Sequence, residues 1–129
     1  VLSAGAGFVG QGTPADMPGL AALIEEAIRY PGFAFVNVQS PCVTYGEDDQ
    51  QLRAHKTKMK SLEKMGHDSA NFLKALELAT HYGTELYTGV LFKNPSPPTS
   101  YDRLVRERQA NLAKQAVSRE HLFDGFIHD

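Results

Sequence analysis

The chain has 129 residues, 42% of them apolar, which is enough for one domain with its own core. A formal charge of −2 and an isoelectric point near 6.2 exclude a general attraction to nucleic acid or to an anionic membrane surface. No apolar run approaches the roughly 18 residues of a membrane span and no basic-then-apolar leader is present, so a cytoplasmic location is expected, in keeping with a single cysteine, Cys42.

The charge is unevenly spread. Residues 1–50 carry one basic and six acidic side chains, net −5, whereas residues 51–129 carry twelve basic and nine acidic ones, net +3. The chain starts at Val1, and its small first residues read as the tail of a helix running into a short strand at Phe8-Val9, as in a piece cut from a longer chain.

A loop, Gly10 to Ala15, then leads to Asp16, a good N-cap, and to a helix with Leu20, Leu23, Ile24, Ala27 and Ile28 at helical spacing. Pro31-Gly32 stops it. Phe33 to Val38 is almost continuously apolar, as in a strand covered on both faces. Strand, helix and strand within about 30 residues make a βαβ crossover and imply a parallel sheet.

After the acidic turn at Glu47-Asp48-Asp49-Gln50, the spacing predicts a polar helix over Gln51–Met65 with a thin stripe of Leu52, Met59, Leu62 and Met65, capped by Gly66. A further helix runs from Ser69 to Tyr82-Gly83 with Phe72, Leu73, Leu76 and Ala79 inward. Leu86 to Phe92 reads as a strand, and Asn94 to Pro98 as a rigid connector. Thr99 or Ser100 caps a last helix through Leu104, Val105 and Leu112, followed by a tail to Asp129.

Cys42 sits where the strand Phe33–Val38 gives way to Gln39-Ser40-Pro41-Cys42-Val43-Thr44-Tyr45-Gly46. Residues past the carboxyl end of a strand in an open α/β sheet face the ligand crevice. An isolated cysteine is nevertheless more often a small buried hydrophobe than a ligand. A cluster or zinc site takes about four donors, so any metal at Cys42 needs ligands from elsewhere. None of His55, His67, His81, His121 or His128 forms a helical i, i+4 pair, and they read as surface or capping residues. The run His55-Lys56-Thr57-Lys58-Met59-Lys60 with Lys64 reads first as a solvated helix face. Gly5, Gly7, Gly10 and Gly12 straddle the first strand instead of joining a strand to a helix. They read as packing and turn glycines, not as a phosphate loop.

Ala4-Gly5-Ala6-Gly7-Phe8-Val9-Gly10, Leu23-Ile24-Glu25-Glu26-Ala27-Ile28 and Gly32 through Pro41-Cys42-Val43-Thr44-Tyr45 together closely resemble the β subunit of 2-oxoacid:ferredoxin oxidoreductases. Lys64 to Asp68, Tyr87 to Lys93 and Pro98-Thr99-Ser100-Tyr101 resemble that subunit's carboxyl-terminal extension, so the match is collinear over about residues 1–105. The resemblance implies an α/β fold: residues 1–46 as the carboxyl-terminal βαβ part of a thiamine-diphosphate-binding parallel-sheet domain, and 47–129 as a mostly helical extension with one strand. It also implies thiamine diphosphate, magnesium and a [4Fe–4S] cluster in the parent subunit, with Cys42 as the fourth cluster ligand beside three upstream cysteines.

The implied partners are an α subunit, ferredoxin, a 2-oxoacid and coenzyme A, with no nucleic acid and no membrane. The implied reaction is oxidative decarboxylation to acyl-CoA, with electrons leaving through the cluster. The upstream Cys-x-x-Cys and the Gly-Asp-Gly to Asn segment that grips magnesium and diphosphate are absent from these 129 residues. This segment alone is therefore expected to be inactive, with Cys42 a thiol holding no metal, whether exposed or not. The alternative is a non-catalytic binding or assembly module that keeps the fold.

Overall fold

A computed structural model describes residues 1–42, 48–81, 85–97 and 99–114, with the side chains of 48–52 left aside. The chain divides into two compact units, Val1–Pro98 and Thr99–Asp129. The first opens with a 3-10 turn, Leu2–Ala4, and continues through β1 (Phe8–Gly12), a second 3-10 turn (Pro14–Asp16) and α1 (Met17–Arg29). It is completed by β2 (Ala34–Val38), α2 (Asp48–Lys58), β3 (Met59–Ser61), α3 (Phe72–Ala79) and β4 (Leu86–Lys93).

The four strands form one sheet in the order β2-β1-β4-β3. β1 and β2 run parallel, Phe8 opposite Ala34 through Gly12 opposite Val38, as the βαβ reading requires. β4 lies antiparallel to β1 and parallel to β3, so the sheet as a whole is mixed. The β1–β4 register shifts between Val9 and Gly10, which face Phe92 and Val90 and leave Leu91 as a bulge residue.

Each face of the sheet has its own core. Phe8, Leu23 and Tyr30 form one with α1, flanked by Ala27, Ala34, Val36 and Val90; Phe8 is wholly buried. Leu2, Ala6, Val9, Leu62, Ala75, Leu78, Tyr87 and Leu91 form the other beneath α3, with Phe92 packed edge-on to Phe72 at 5.5 Å. Asp16 caps α1 as expected, its carboxylate accepting the Gly19 N–H at 3.1 Å. On α1 only Leu20 and Leu23 are buried; Ile24 is exposed and Ile28 is 78% exposed.

Several expectations need correction. β2 is not covered on both faces, since Phe35 and Val38 are exposed, as is Phe33 just before it, and among the described residues it is also the sheet's edge. The helix expected over Gln51–Met65 stops at Lys58, because Met59–Ser61 pair with Leu86–Thr88 as a strand. Gly66 then serves a turn, with φ +66°, its N–H bonded to Glu63 O at 3.0 Å, and is not a helix cap. α3 starts after Asn71, whose side chain accepts the Lys74 N–H at 3.0 Å, and buries Ala75 and Leu78. Leu73 is 75% exposed and Phe72, Leu76 and Ala79 are exposed, so the inward stripe is in a different helical phase. The helix ends at Ala79 with Thr80 as its C-cap, short of the expected Tyr82-Gly83, which lie outside the described residues, as does the side chain of Leu52 in the preceding stripe.

In the second unit α4 spans Tyr101–Lys114 directly after Ser100, whose carbonyl accepts the Leu104 N–H at 3.1 Å. It buries no residue within its unit; Leu104 and Leu112 are exposed. Arg103 pairs with Glu107 at 2.9 Å, and hydrogen bonding from Ser100 holds the Asp102 carboxyl below its ordinary range. Among the described residues no helix is long and apolar enough to cross a membrane.

Candidate functional site

The parallel strands β1 and β2 end side by side. Gln39 N–H donates to Gly12 O at 2.8 Å, carrying their ladder one step past β2. Cys42 follows on the same segment and is exposed at this mouth, where the sequence reading put it. On the α3 face a polar line crosses three strands: Asn37 Nδ2 donates to Gln11 Oε1 at 2.9 Å, and Gln11 Nε2 donates to Tyr87 O at 2.9 Å. It forms part of a cavity of about 290 Å³ walled by Leu2, Leu76 and Leu78.

The next residue of β1's end is Thr13, 1% exposed. Its Oγ1 accepts the Ala15 N–H at 3.3 Å and lies 3.1 Å from Nδ1 of His55 on α2. α2 packs against the Pro14–Asp16 turn, so it returns to the strand mouth from which the Cys42 segment departs. Sequence spacing did not reveal this pair, since the two residues stand 42 positions apart. His67 Nε2 is 2.8 Å from Leu91 O and His81 Nδ1 is 3.4 Å from the Tyr87 hydroxyl. These three histidines thus have structural partners; His121 and His128 lie outside the described residues.

The basic run does not form one surface. Lys56 and Lys58 stay on α2, whereas Lys60 leaves from β3 to pair with Glu85 at 2.6 Å; that hydrogen bond raises the Lys60 ammonium above its usual range. Nor do the glycines cradle a phosphate. A Cβ at Gly10 would lie 2.7 Å from Leu23 Cδ1, one at Gly12 would lie 2.8 Å from Leu20 Cδ1, and one at Gly7 would strike the Tyr30 hydroxyl. They let α1 close onto β1.

Among the described residues no three His, Cys, Asp or Glu side chains gather where a metal ion could sit. A [4Fe–4S] cluster takes about four thiolates. An exposed thiol at a strand mouth fits one corner of such a cluster, and this chain's single cysteine does not fit the rest.

Residues 42–109, just over half of the chain, match the family described as the C-terminal part of the pyruvate ferredoxin oxidoreductase β subunit. The chain is similar to a 2-oxoacid:ferredoxin oxidoreductase subunit β of Sulfolobus, 26% identical over 92% of this chain and 43% of that one. It is also similar to subunit β of 2-oxoacid:ferredoxin oxidoreductase 1 of Aeropyrum pernix, 26% identical over 92% of this chain and 42% of that one. Among solved structures it superposes on a chain of 2-oxoglutarate:ferredoxin oxidoreductase from Magnetococcus marinus with 2-oxoglutarate, coenzyme A and succinyl-CoA bound. There the TM-score is 0.74 at 26% identity, over 99% of this chain and 43% of that one. The chain thus spans about two-fifths of the length of the relatives it matches.

Proposed function

This chain belongs to the C-terminal family of pyruvate ferredoxin oxidoreductase β subunits, and on that premise we propose that its parent enzyme oxidatively decarboxylates a 2-oxoacid with coenzyme A. One 2-oxoacid anion, one coenzyme A thiol and two oxidised ferredoxins give acyl-CoA, carbon dioxide, two reduced ferredoxins and one proton. Thiamine diphosphate with magnesium supplies the carbanion chemistry and a [4Fe–4S] cluster the one-electron steps, both in the parent subunit with its α partner.

Within it, residues 1–46 belong to the thiamine-binding α/β domain and 47–129 to its extension. Cys42 is proposed as one cluster ligand. The remaining ligands and the diphosphate grip come from outside these residues, so this segment alone is inactive. The observation that carries the reading is the family match over residues 42–109, which begins at Cys42 itself. Its exposure at the carboxyl end of a parallel strand supports the role, because that is where α/β sheets bind ligands.

The test is Cys42→Ala in the full complex. Iron should fall clearly below the about four atoms of an intact cluster, and 2-oxoacid- and CoA-dependent ferredoxin reduction should be lost. Unchanged iron and electron transfer would leave a non-catalytic module as the better reading.

A further inference from the structure

The α1 face of the sheet holds a cavity of about 370 Å³, between α1, β4 and the turn that follows β3. That volume is within the roughly 300–1,000 Å³ of small-molecule sites. Leu20, Leu23 and Val90 give it apolar walls. Its charge is one-sided: Asp16, Glu26 and Glu63 line it, and among the described residues no lysine or arginine does. Two of these carboxylates are engaged, Asp16 as the α1 cap and Glu26 with Lys93 at 2.8 Å. Glu63 has no side-chain partner among the described residues.

Thr88 makes this more than a charged surface. It follows Tyr87, which belongs to the core under α3, so strand alternation directs Thr88 to the opposite, α1 face, where it lines the cavity. The residue is only 9% exposed, yet its hydroxyl has no hydrogen-bond partner among the described residues. Buried hydroxyls are as a rule hydrogen-bonded, so this one marks where a polar group of a ligand would lie. His67, also in the lining, adds an acceptor. Its Nε2 is 2.8 Å from Leu91 O, and a carbonyl only accepts, so Nε2 carries the proton. In the neutral ring Nδ1 then holds a lone pair with no partner among the described residues.

We propose that this cavity binds a guanidinium group carried on an apolar stem. A guanidinium is a planar cation with several N–H donors and no acceptor, which suits a cavity whose unpaired groups are a carboxylate, a hydroxyl and an imidazole lone pair. Its weakly hydrated faces and its stem suit the leucine and valine walls better than a strongly hydrated ammonium does. An anion would meet the carboxylates. A metal ion is the poorer fit, because among the described residues no three His, Cys, Asp or Glu side chains gather to hold one. The group comes either from an arginine elsewhere in the complex or from a small free ligand. The inference is independent of the role of Cys42.

Crystal structures of the full complex, without and with butylguanidinium, separate the two sources. Either an arginine side chain lies in the cavity of the untreated crystal or added butylguanidinium enters it, in each case with an N–H donor about 2.9 Å from Thr88 Oγ1. An anion, an apolar side chain or neither group in the cavity overturns the proposal. In the free-ligand case, calorimetric titration of the complex should show butylguanidinium binding at least about tenfold more tightly than neutral butylurea, since its bonds are charge-assisted. Thr88→Val should weaken that binding about tenfold, Thr88→Ser should restore it, and Glu63→Gln, at the exposed rim, should weaken it about threefold. Equal binding of butylurea, full affinity in both Thr88→Val and Glu63→Gln, or binding at crystal concentration only overturns the proposal. In the arginine case, replacing that arginine by methionine should lower the urea midpoint of the β subunit, and lower it less in Thr88→Val, because the two share one interaction. Strict additivity overturns the proposal there. If Thr88→Val does not fold, Glu63→Gln carries both tests.

Discussion

β1 serves two regions by opposite means. Towards α1 it offers bare backbone, so that Leu20 and Leu23 come down onto Gly12 and Gly10 with no room for a Cβ. At its carboxyl end it offers polar groups: Gly12 O accepts the Gln39 N–H, and Thr13 Oγ1 bonds with His55 Nδ1 on α2. The first region is fixed by close packing, where a methyl group matters. The second is fixed by polar ties, each of which adds only about 1 kcal/mol to stability. Substitutions under α1 should therefore cost more stability than those at the mouth.

The largest effect on stability is expected from Leu23→Ala. Leu23 is buried between β1 and α1, and truncation leaves a cavity above a glycine floor that has no side chain to fill it. A loss of about 2–5 kcal/mol is expected, read as a lower urea midpoint of the β subunit with unchanged m value. His55→Ala should cost about 1 kcal/mol by the same measurement. Comparable losses in the two variants would erase the contrast.

Gly10→Val sharpens the point from the other side. Its Cβ would press on Leu23, and overpacking of this kind costs about 1–3 kcal/mol. Combined with Leu23→Ala, the new side chain occupies part of the vacated space, so the double variant should lose less than the two singles together. Strict additivity would mean that the two residues do not share that space.

Much of the α1 region was legible in the sequence because its signals are local: the Asp16 cap, the Leu20 and Leu23 spacing, and glycines arranged unlike a phosphate loop. What was misread depended on partners distant in sequence. The apolar run Phe33–Val38 announces apolar neighbours without saying which chain segment supplies them, and among the described residues it is an edge. Met59–Ser61 carries a helical stripe, yet pairing with Leu86–Thr88 makes it a strand. In α3 two helical phases are apolar, and the sheet beneath selects Ala75 and Leu78 over Leu73 and Leu76. At the mouth, the position of Cys42 past a strand was legible, the ligand role proposed for it rests on the family resemblance alone, and the contact between Thr13 and His55 had no local signature.

The smallest effect tests how tightly the α1 region is closed. The Tyr30 ring packs 5.6 Å from Phe8, and its buried hydroxyl, lying over Gly7, has no hydrogen-bond partner among the described residues. Burial raises its pKa above the ordinary tyrosine value, an effect that nearby Lys93 partly offsets. Tyr30→Phe removes an unsatisfied polar atom while keeping the ring, so a gain of about 1 kcal/mol is expected at neutral pH. The pH dependence follows from the raised value. Above pH of about 10 the unfolded chain releases this proton while the folded one still holds it, so native stability falls as pH rises. Below that range both states hold the proton and the contribution is flat. The advantage of Tyr30→Phe should thus be constant up to about pH 10 and widen beyond it, measured as the difference in urea midpoint between variant and wild type. A variant less stable than wild type at neutral pH would mean that the hydroxyl is satisfied in the intact subunit and that this face, like the mouth, is held by a polar tie.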